Sequence, residues 1–323
     1  MPAAPQLPEG YDPGPWAVHT RYTDPRHRQA LIAAIPPDLQ ELSAAARNVI
    51  IHYRASGLEL PEETREDPNS RWLSTILDRD QERHRAPLTQ HRDPYRRVQG
   101  CCRDHSLFAA GVLRHHQVPA RIRYGFVGYF VPGFHVDHVI VETWDAERRR
   151  WRRFDPEFEG PTQANPTPYD LPYGEPAMFR TAAEAWSDHR AGRIDLDHYG
   201  VDPELPIRGD WFVQGAVMFD AVFRAGYEFL IWDGWDALAG PDGPSEALSR
   251  LTDELAALVI AADNGDPAAE QALLERVRTD PAVTPPDVVE TMRPWGGPTE
   301  QTDLSKGPEI PVGSQTATEG ATP

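Results

Sequence analysis

The chain has 323 residues, enough for one large domain or two modest ones and for a core that needs no covalent staples. Its formal net charge of -18, from 32 Lys and Arg against 50 Asp and Glu, argues against nucleic-acid binding, which rests on phosphate neutralisation. The two cysteines are adjacent, Cys101 and Cys102, which excludes a disulfide framework and points to a reducing compartment, and no run of 18 apolar residues predicts a membrane span.

Residues 1–16 are rich in Pro and Gly and predict a flexible N-terminal arm. They have neither the basic start nor the apolar run of a secretory signal, so a cytoplasmic location is expected. Residues 38–56 space Leu39, Leu42, Ala46, Val49, Ile50 and Tyr53 as a helix does, with Asp38 as its N-cap after two prolines. Residues 71–80 predict a second, shorter helix. From Asp104 to Leu113 the chain is apolar almost all round, the mark of a helix buried inside its domain, and Val118-Pro119 ends it. The texture then changes. Residues 120–130 and 137–144 alternate and are rich in aromatic and branched side chains, and residues 150–155 read as an antiparallel partner beyond a turn at 145–149. A buried helix followed by a strand meander is α+β rather than βαβ. Further helices are predicted over 173–191, over 210–238 as one long aromatic-rich cover for the core, and over 244–260 and 267–278 as a small C-terminal helical appendage. Residues 296–323 lack aromatics and apolar periodicity and predict disorder.

A thiol acyltransferase or hydrolase needs a stabilised thiolate, a base and a group that orients the base. Gly100-Cys101-Cys102 stands where a loop feeds the buried helix, and a helix N-terminus favours negative charge. Local physics therefore leaves either cysteine open as the nucleophile. His138 begins the strongest strand, and Asp155 closes its partner. An antiparallel hairpin sets the start of one strand near the end of the next, so these two side chains are expected to meet.

These residues also carry a resemblance. GCCRDHSLFAAGVLRHHQVPARIRYGF, residues 100–126, resembles the transglutaminase-like superfamily pattern, in which Cys stands two residues before an Asp and seventeen before the Pro of Pro-Ala-Arg. Cys102, Asp104 and Pro119 meet both distances and Cys101 meets neither, so the resemblance selects Cys102. His138-Val139-Ile140-Val141-Glu142 and the stretch from Trp151 to Pro156 are similar to the family's His and Asp motifs, in the same order. Ile140 departs from the Trp that many members carry, which puts the wall of the substrate channel in doubt. The likeness is specific over 97–158 and looser over about 20–285.

What the resemblance implies is a papain-like, transglutaminase-like α+β core: a central helix packed on an antiparallel sheet, with additional flanking helices. The chain then divides into the arm at 1–16, a catalytic domain with flanking helices at 17–240, a C-terminal helical segment at 241–292 and a disordered tail at 293–323. Cys102 is the implied nucleophile, His138 its base and Asp155 the orienting group. The implied chemistry is acyl transfer or hydrolysis on a peptide-like amide through a thioester. Two other readings stand beside it: a catalytically silent fold used as a binding or scaffold module, and a tailoring enzyme forming amides on a carrier-bound small molecule. A peptide or amide-containing substrate is expected, with no nucleic acid, membrane or cofactor, and the oligomeric state is left open. Metal binding is disfavoured as well. Cys101, Cys102, His135 and His138 have the right atoms for zinc, but structural sites space their cysteines by two to four residues.

Competing residues are weighed in the same way. His135 falls in the hairpin loop and ranks second as the base. Asp104 is expected to cap the buried helix, and His105, His115 and His116 to be solvated or capping. Arg121, Arg123 and the strip from Arg148 to Arg153 read as a solvated hairpin rather than a binding wall for an acidic substrate. The Cys102 N–H is one expected oxyanion donor, with Gln99 the candidate for a second.

Overall fold

The computed structural model describes residues 5–174 and 178–308. A short helix α1 (Gln29–Ala33) precedes α2 (Leu39–Val49). Asp38 is extended, and its carboxylate accepts hydrogen bonds from the Gln40 and Glu41 N–H groups, so α2 starts at the predicted cap. The helix stops short of its predicted end because the branched residues after Val49 form a strand, β1 (Ile50–His52). After α3 (Leu73–Arg83), β2 (Val98–Gly100) pairs with β1 in parallel and delivers the chain to α4 (Cys102–His115).

Every residue of α4 from Cys102 to Arg114 is buried, as its all-round apolar pattern predicted. It is held against a sheet built by the next three strands, β3 (Ala120–Val131), β4 (Phe134–Asp145) and β5 (Arg150–Phe154). Gly133, at φ +77°, turns β3 into β4. β6 (Phe179–Thr181) joins β3 on its other edge, and β7 (Tyr199–Gly200) runs parallel to the start of β4. The strand order β5-β4-β3-β6 is antiparallel throughout. The Ser106 hydroxyl on α4 donates to the Val139 carbonyl on β4 at 2.8 Å, which ties the helix to the strand beside His138. The fold is the expected α+β, a central helix packed on an antiparallel sheet.

Further along, several predicted elements take different bounds. Within 173–191 the chain forms β6 and then α5 (Ala182–Arg190), and residues 175–177 lie outside the described residues. Thr181 starts α5 with a reciprocal capping box to Glu184. The long helix predicted over 210–238 ends early, as α6 (Asp210–Arg224). The Gly226 N–H bonds the Phe223 carbonyl and the Tyr227 N–H bonds the Val222 carbonyl, while Gly226 takes φ +90°, a left-handed stop. After a two-residue strand β8 (Asp233–Gly234) come α7 (Glu246–Asp263) and α8 (Pro267–Thr279). Leu255, Ala256 and Val259 of α7 and Leu273 and Val277 of α8 belong to the main apolar core, so these helices do not stand off as an appendage.

Both ends are more structured than their composition implied. β9 (Val288–Thr291) and β10 (Glu300–Asp303) pair with β8 in a three-stranded sheet. Arg71 reaches into it, with both Asp233 oxygens and the Thr291 and Thr302 hydroxyls accepting from its guanidinium. Charge-assisted bonds of this kind order a segment that has little apolar surface of its own. The expected disorder over 309–323 falls outside the described residues. At the other end, the Leu7 N–H donates to the Arg149 carbonyl, and Leu7 and Trp16 bury against Trp151.

The arginines predicted on a solvated hairpin are largely interior. Arg121, Arg123 and Arg153 are buried around Glu142, which accepts from all three, and Asp220 and Asp263 take further bonds from Arg123. Period 2 places Arg121 and Arg123 on one face of β3, where Asp263 at the end of α7 meets both and Asp220 of α6 meets Arg123. Arg148 does remain exposed. Among the described residues, no helix is long and apolar enough to cross a membrane.

Candidate active site

The start of α4 is shaped by close approach. A Cβ on Gly100 would lie 2.8 Å from an Asp104 oxygen and 2.8 Å from an Ile50 methyl carbon, so only glycine fits there. Cys101 is extended and forms the N-cap, and Cys102 is the first helical residue. Asp104 caps as expected: one oxygen accepts from the Cys101 N–H at 2.8 Å, and the other pairs with Arg103. As first residue of α4, Cys102 has no partner for its N–H within the helix.

Both thiols are free and buried. The two side chains are neighbours, and their contact acts on them in opposite senses. The contact with Cys101, followed by burial, pushes the Cys102 thiol well above its ordinary value. The same contact is the largest influence on Cys101 and pulls it down, but burial together with the Asp104 and Glu157 charges outweighs it and Cys101 also ends raised. The Arg103 N–H adds a pull on Cys101 alone, so electrostatics by itself makes Cys101 the more acidic thiol, whereas the motif register selects Cys102.

His138 and Asp155 are brought together as the hairpin argument expected, with one refinement. Continuing the ladder one step past Val141↔Phe154 sets Asp155 against Ile140, two residues from His138 and on its face of the sheet. The pair is therefore diagonal. His138 Nε2–H donates to Asp155 Oδ2 at 2.8 Å, and both side chains are buried. A carboxylate accepts, so this bond fixes the proton on Nε2 and leaves Nδ1 as the ring nitrogen for a thiol. Asp155 Oδ2 also accepts from the Tyr129 hydroxyl at 2.7 Å, and Oδ1 accepts from the Glu157 N–H at 3.0 Å. Burial opposes protonation of His138, but the Asp155 charge and hydrogen bond overcome it and raise the imidazole to about 9. The ring is cationic at neutral pH. An aromatic group borders it: Phe130, 43% exposed, meets His138 edge-on and stacks on Phe158.

Other expectations turn out differently. His135 stacks on Tyr199 at 4.3 Å, away from the base role. Gln99 spends its amide hydrogens on the Pro61 carbonyl and the Thr64 hydroxyl, which removes it as the second oxyanion donor. His105, expected to be solvated or capping, is 3% exposed and packed beside Glu157. Its Nδ1 lies 2.9 Å from the Cys101 carbonyl and 3.0 Å from Glu157 Oε1. One N–H cannot serve both with good alignment; the carbonyl takes the hydrogen bond, and Glu157 is held by charge. Burial lowers His105, but the Glu157 carboxylate reverses this and its net direction is upward. Glu157 is held below the usual carboxylate range, because the neighbouring imidazoles, His105 first, outweigh the cost of its burial. Sequence reasoning missed Glu157 and Tyr129, and nothing in their local pattern marks them. His105 did carry a signal: three residues after Cys102, it shares the thiol's helix face.

His138, Asp155 and Glu157 bring ligand-type atoms within 4.8 Å of one another, close enough in principle for one cation. Both Asp155 oxygens already accept well-formed hydrogen bonds from protein donors.

Comparison with known proteins bears on this region. Residues 70–156 match the model of the transglutaminase-like superfamily, a little over a quarter of the chain. No curated protein matches the chain. A solved structure from Cytophaga hutchinsonii, assigned as a cysteine protease by inference, aligns at 16% identity with a TM-score of 0.33 over 57% of this chain and 53% of its own. The match thus spans about half the length of that protein, and the likeness is too slight to carry an argument. The segment that matches the transglutaminase-like superfamily model, residues 70–156, contains Cys102, His138 and Asp155.

Proposed function

We propose that Cys102, His138 and Asp155 act as a thiol triad that transfers an acyl group from a peptide-like amide through a thioester. The observation that carries this reading is the buried 2.8 Å bond from His138 Nε2 to Asp155 Oδ2, on the strand that α4 is bonded to one turn beyond Cys102. The Cys102 thiol first gives its proton to His138 Nδ1, the resulting thiolate attacks the amide carbonyl carbon, and the Cys102 N–H stabilises the oxyanion at the helix start. The C–N bond breaks as His138 Nδ1–H gives its proton to the leaving amine, which leaves a thioester. Water or a second amine then loses a proton to Nδ1 and attacks the thioester; the C–S bond breaks and the departing thiolate takes that proton back from Nδ1. Hydrolysis follows from water, and transamidation from an amine.

A second reading, a silent fold used as a scaffold, draws on the burial and upward push of both thiols. Alkylation of the full chain with iodoacetamide, mapped by mass spectrometry, decides between them. The triad predicts modification at Cys102 ahead of Cys101. It also predicts that Cys102→Ala, with unchanged circular dichroism, lowers turnover of a panel of amide and ester donors by on the order of a thousandfold or more. An inert Cys102 in folded protein, with turnover unaffected by the substitution, removes the triad and leaves the scaffold.

A further inference from the structure

Glu157 stands outside the triad and yet is bonded into it. Its N–H donates to Asp155 Oδ1, so the two carboxylates share one turn after β5. Its own carboxylate comes within 4.8 Å of the His138 nitrogen and of Asp155, and 3.0 Å from His105 Nδ1. The residue is not a surface acid that happens to lie near: its Oε1 is fully covered and has no well-aligned hydrogen-bond donor. Two carboxylates this close in a buried site repel unless cations sit between them. The neighbouring imidazoles are His138, His105 and His52. His52 is not a cation, since its Nδ1 accepts from the Arg54 and Ala55 N–H groups and burial lowers it further. His105 and His138 remain to balance Asp155 and Glu157.

We propose that Glu157, pinned by His105, is a positioning residue of this site: together with Asp155 it holds His138 in its cationic form for the thiolate of Cys102. The role rests on the acyl-transfer reading and adds to it a second carboxylate. Its consequence is that the ion pair of thiolate and imidazolium does not depend on Asp155 alone. The other groups close to His138 are Asp137, its neighbour on β4, whose carboxylate accepts from the Tyr124 hydroxyl, and Tyr129 on β3. Among the charges that raise His138, Glu157 follows Asp155 and precedes Asp137.

The test is an NMR titration of the His138 ring in the full chain, with His138→Gln to assign its resonance. Glu157→Gln is expected to lower the midpoint by roughly one pH unit, the Coulomb scale for a charge within about 5 Å in a partly screened interior. Glu157→Asp, which keeps the charge and draws it back by one methylene, is expected to lower it by less. If the Gln variant does not fold, the Asp variant carries the test. Midpoints that agree in all folded proteins, or a rise in the Gln variant, overturn the proposal. A purely structural Glu157 would change stability and leave the midpoint in place. The titration needs no turnover. An unmoved midpoint with a reactive Cys102 sinks the role of Glu157 alone, and a lowered midpoint with an inert Cys102 sinks the triad instead.

Discussion

Asp155→Asn isolates the charge that fixes the base. The substitution keeps the side chain's size and removes the negative charge opposite His138 Nε2. In the folded protein His138 is raised from 6.5 to about 9, and Asp155 is the first of the groups that raise it. That interval, at about 1.4 kcal/mol per pH unit, amounts to about 3 kcal/mol, and the pair is buried enough that solvent does not screen it away. A group raised on folding stabilises fully below its unfolded value and loses that contribution as pH rises through its folded value. The native protein should therefore lose about 3 kcal/mol from this group between about pH 6.5 and about pH 9. In Asp155→Asn most of that loss should disappear, since only Glu157 and Asp137 still support the cation against burial. Urea unfolding of both proteins at about pH 6 and about pH 10 measures it. Other groups titrate alike in the two proteins and cancel, as does any fixed cost of altered bonds to Tyr129 and the Glu157 N–H. An equal pH dependence in the two proteins would refute the linkage.

Two substitutions probe the framework around the site. Arg123→Met leaves Glu142, Asp220 and Asp263 short of a shared, fully buried cation and should cost about 3–5 kcal/mol in urea unfolding; a cost below about 1 kcal/mol would show that Arg121 and Arg224 suffice. Gly125→Ala should cost about 3 kcal/mol, because its Cβ would lie 2.3 Å from the Arg180 carbonyl oxygen and 2.6 Å from the Phe179 ring, on the residue paired with His138. Gly133→Ala, in open space at φ +77°, should cost only about 1 kcal/mol, and equal costs at the two glycines would remove the steric account of Gly125.

The parts of this protein that could be read in advance are those decided by neighbours in the chain. The Asp38 cap, the all-round burial of α4 and the hairpin of β4 and β5 follow from side-chain spacing and turn chemistry within a dozen residues or so. The meeting of His138 and Asp155 belongs to this class, because a hairpin is local. Even so, the ladder makes the pair diagonal, and only the register shows that. Elements that depend on distant partners were misread. Ile50–His52 continues a helical pattern, but a parallel partner at Val98–Gly100 claims it as a strand. Arg121 and Arg123 look solvated until α6 and α7 supply Asp220 and Asp263.

Glu157 shows why the site was harder to read than the fold. It follows Asp155 by two residues in an acidic stretch after Asp-Pro, where a solvated turn is the ordinary outcome. What changes its meaning is His105. A histidine on an exposed helix would satisfy itself with water, and Glu157 would then be one more surface acid. Because α4 is enclosed on all sides, His105 is deprived of water, and the carboxylate that follows Asp155 becomes the group able to hold its charge. The same enclosure sets Cys102 on the His105 face of the helix. Burial of α4 therefore builds both parts of the site at once: it raises the barrier to forming a thiolate, and it assembles the second imidazole and second carboxylate that, on the proposal made for Glu157, offset that barrier.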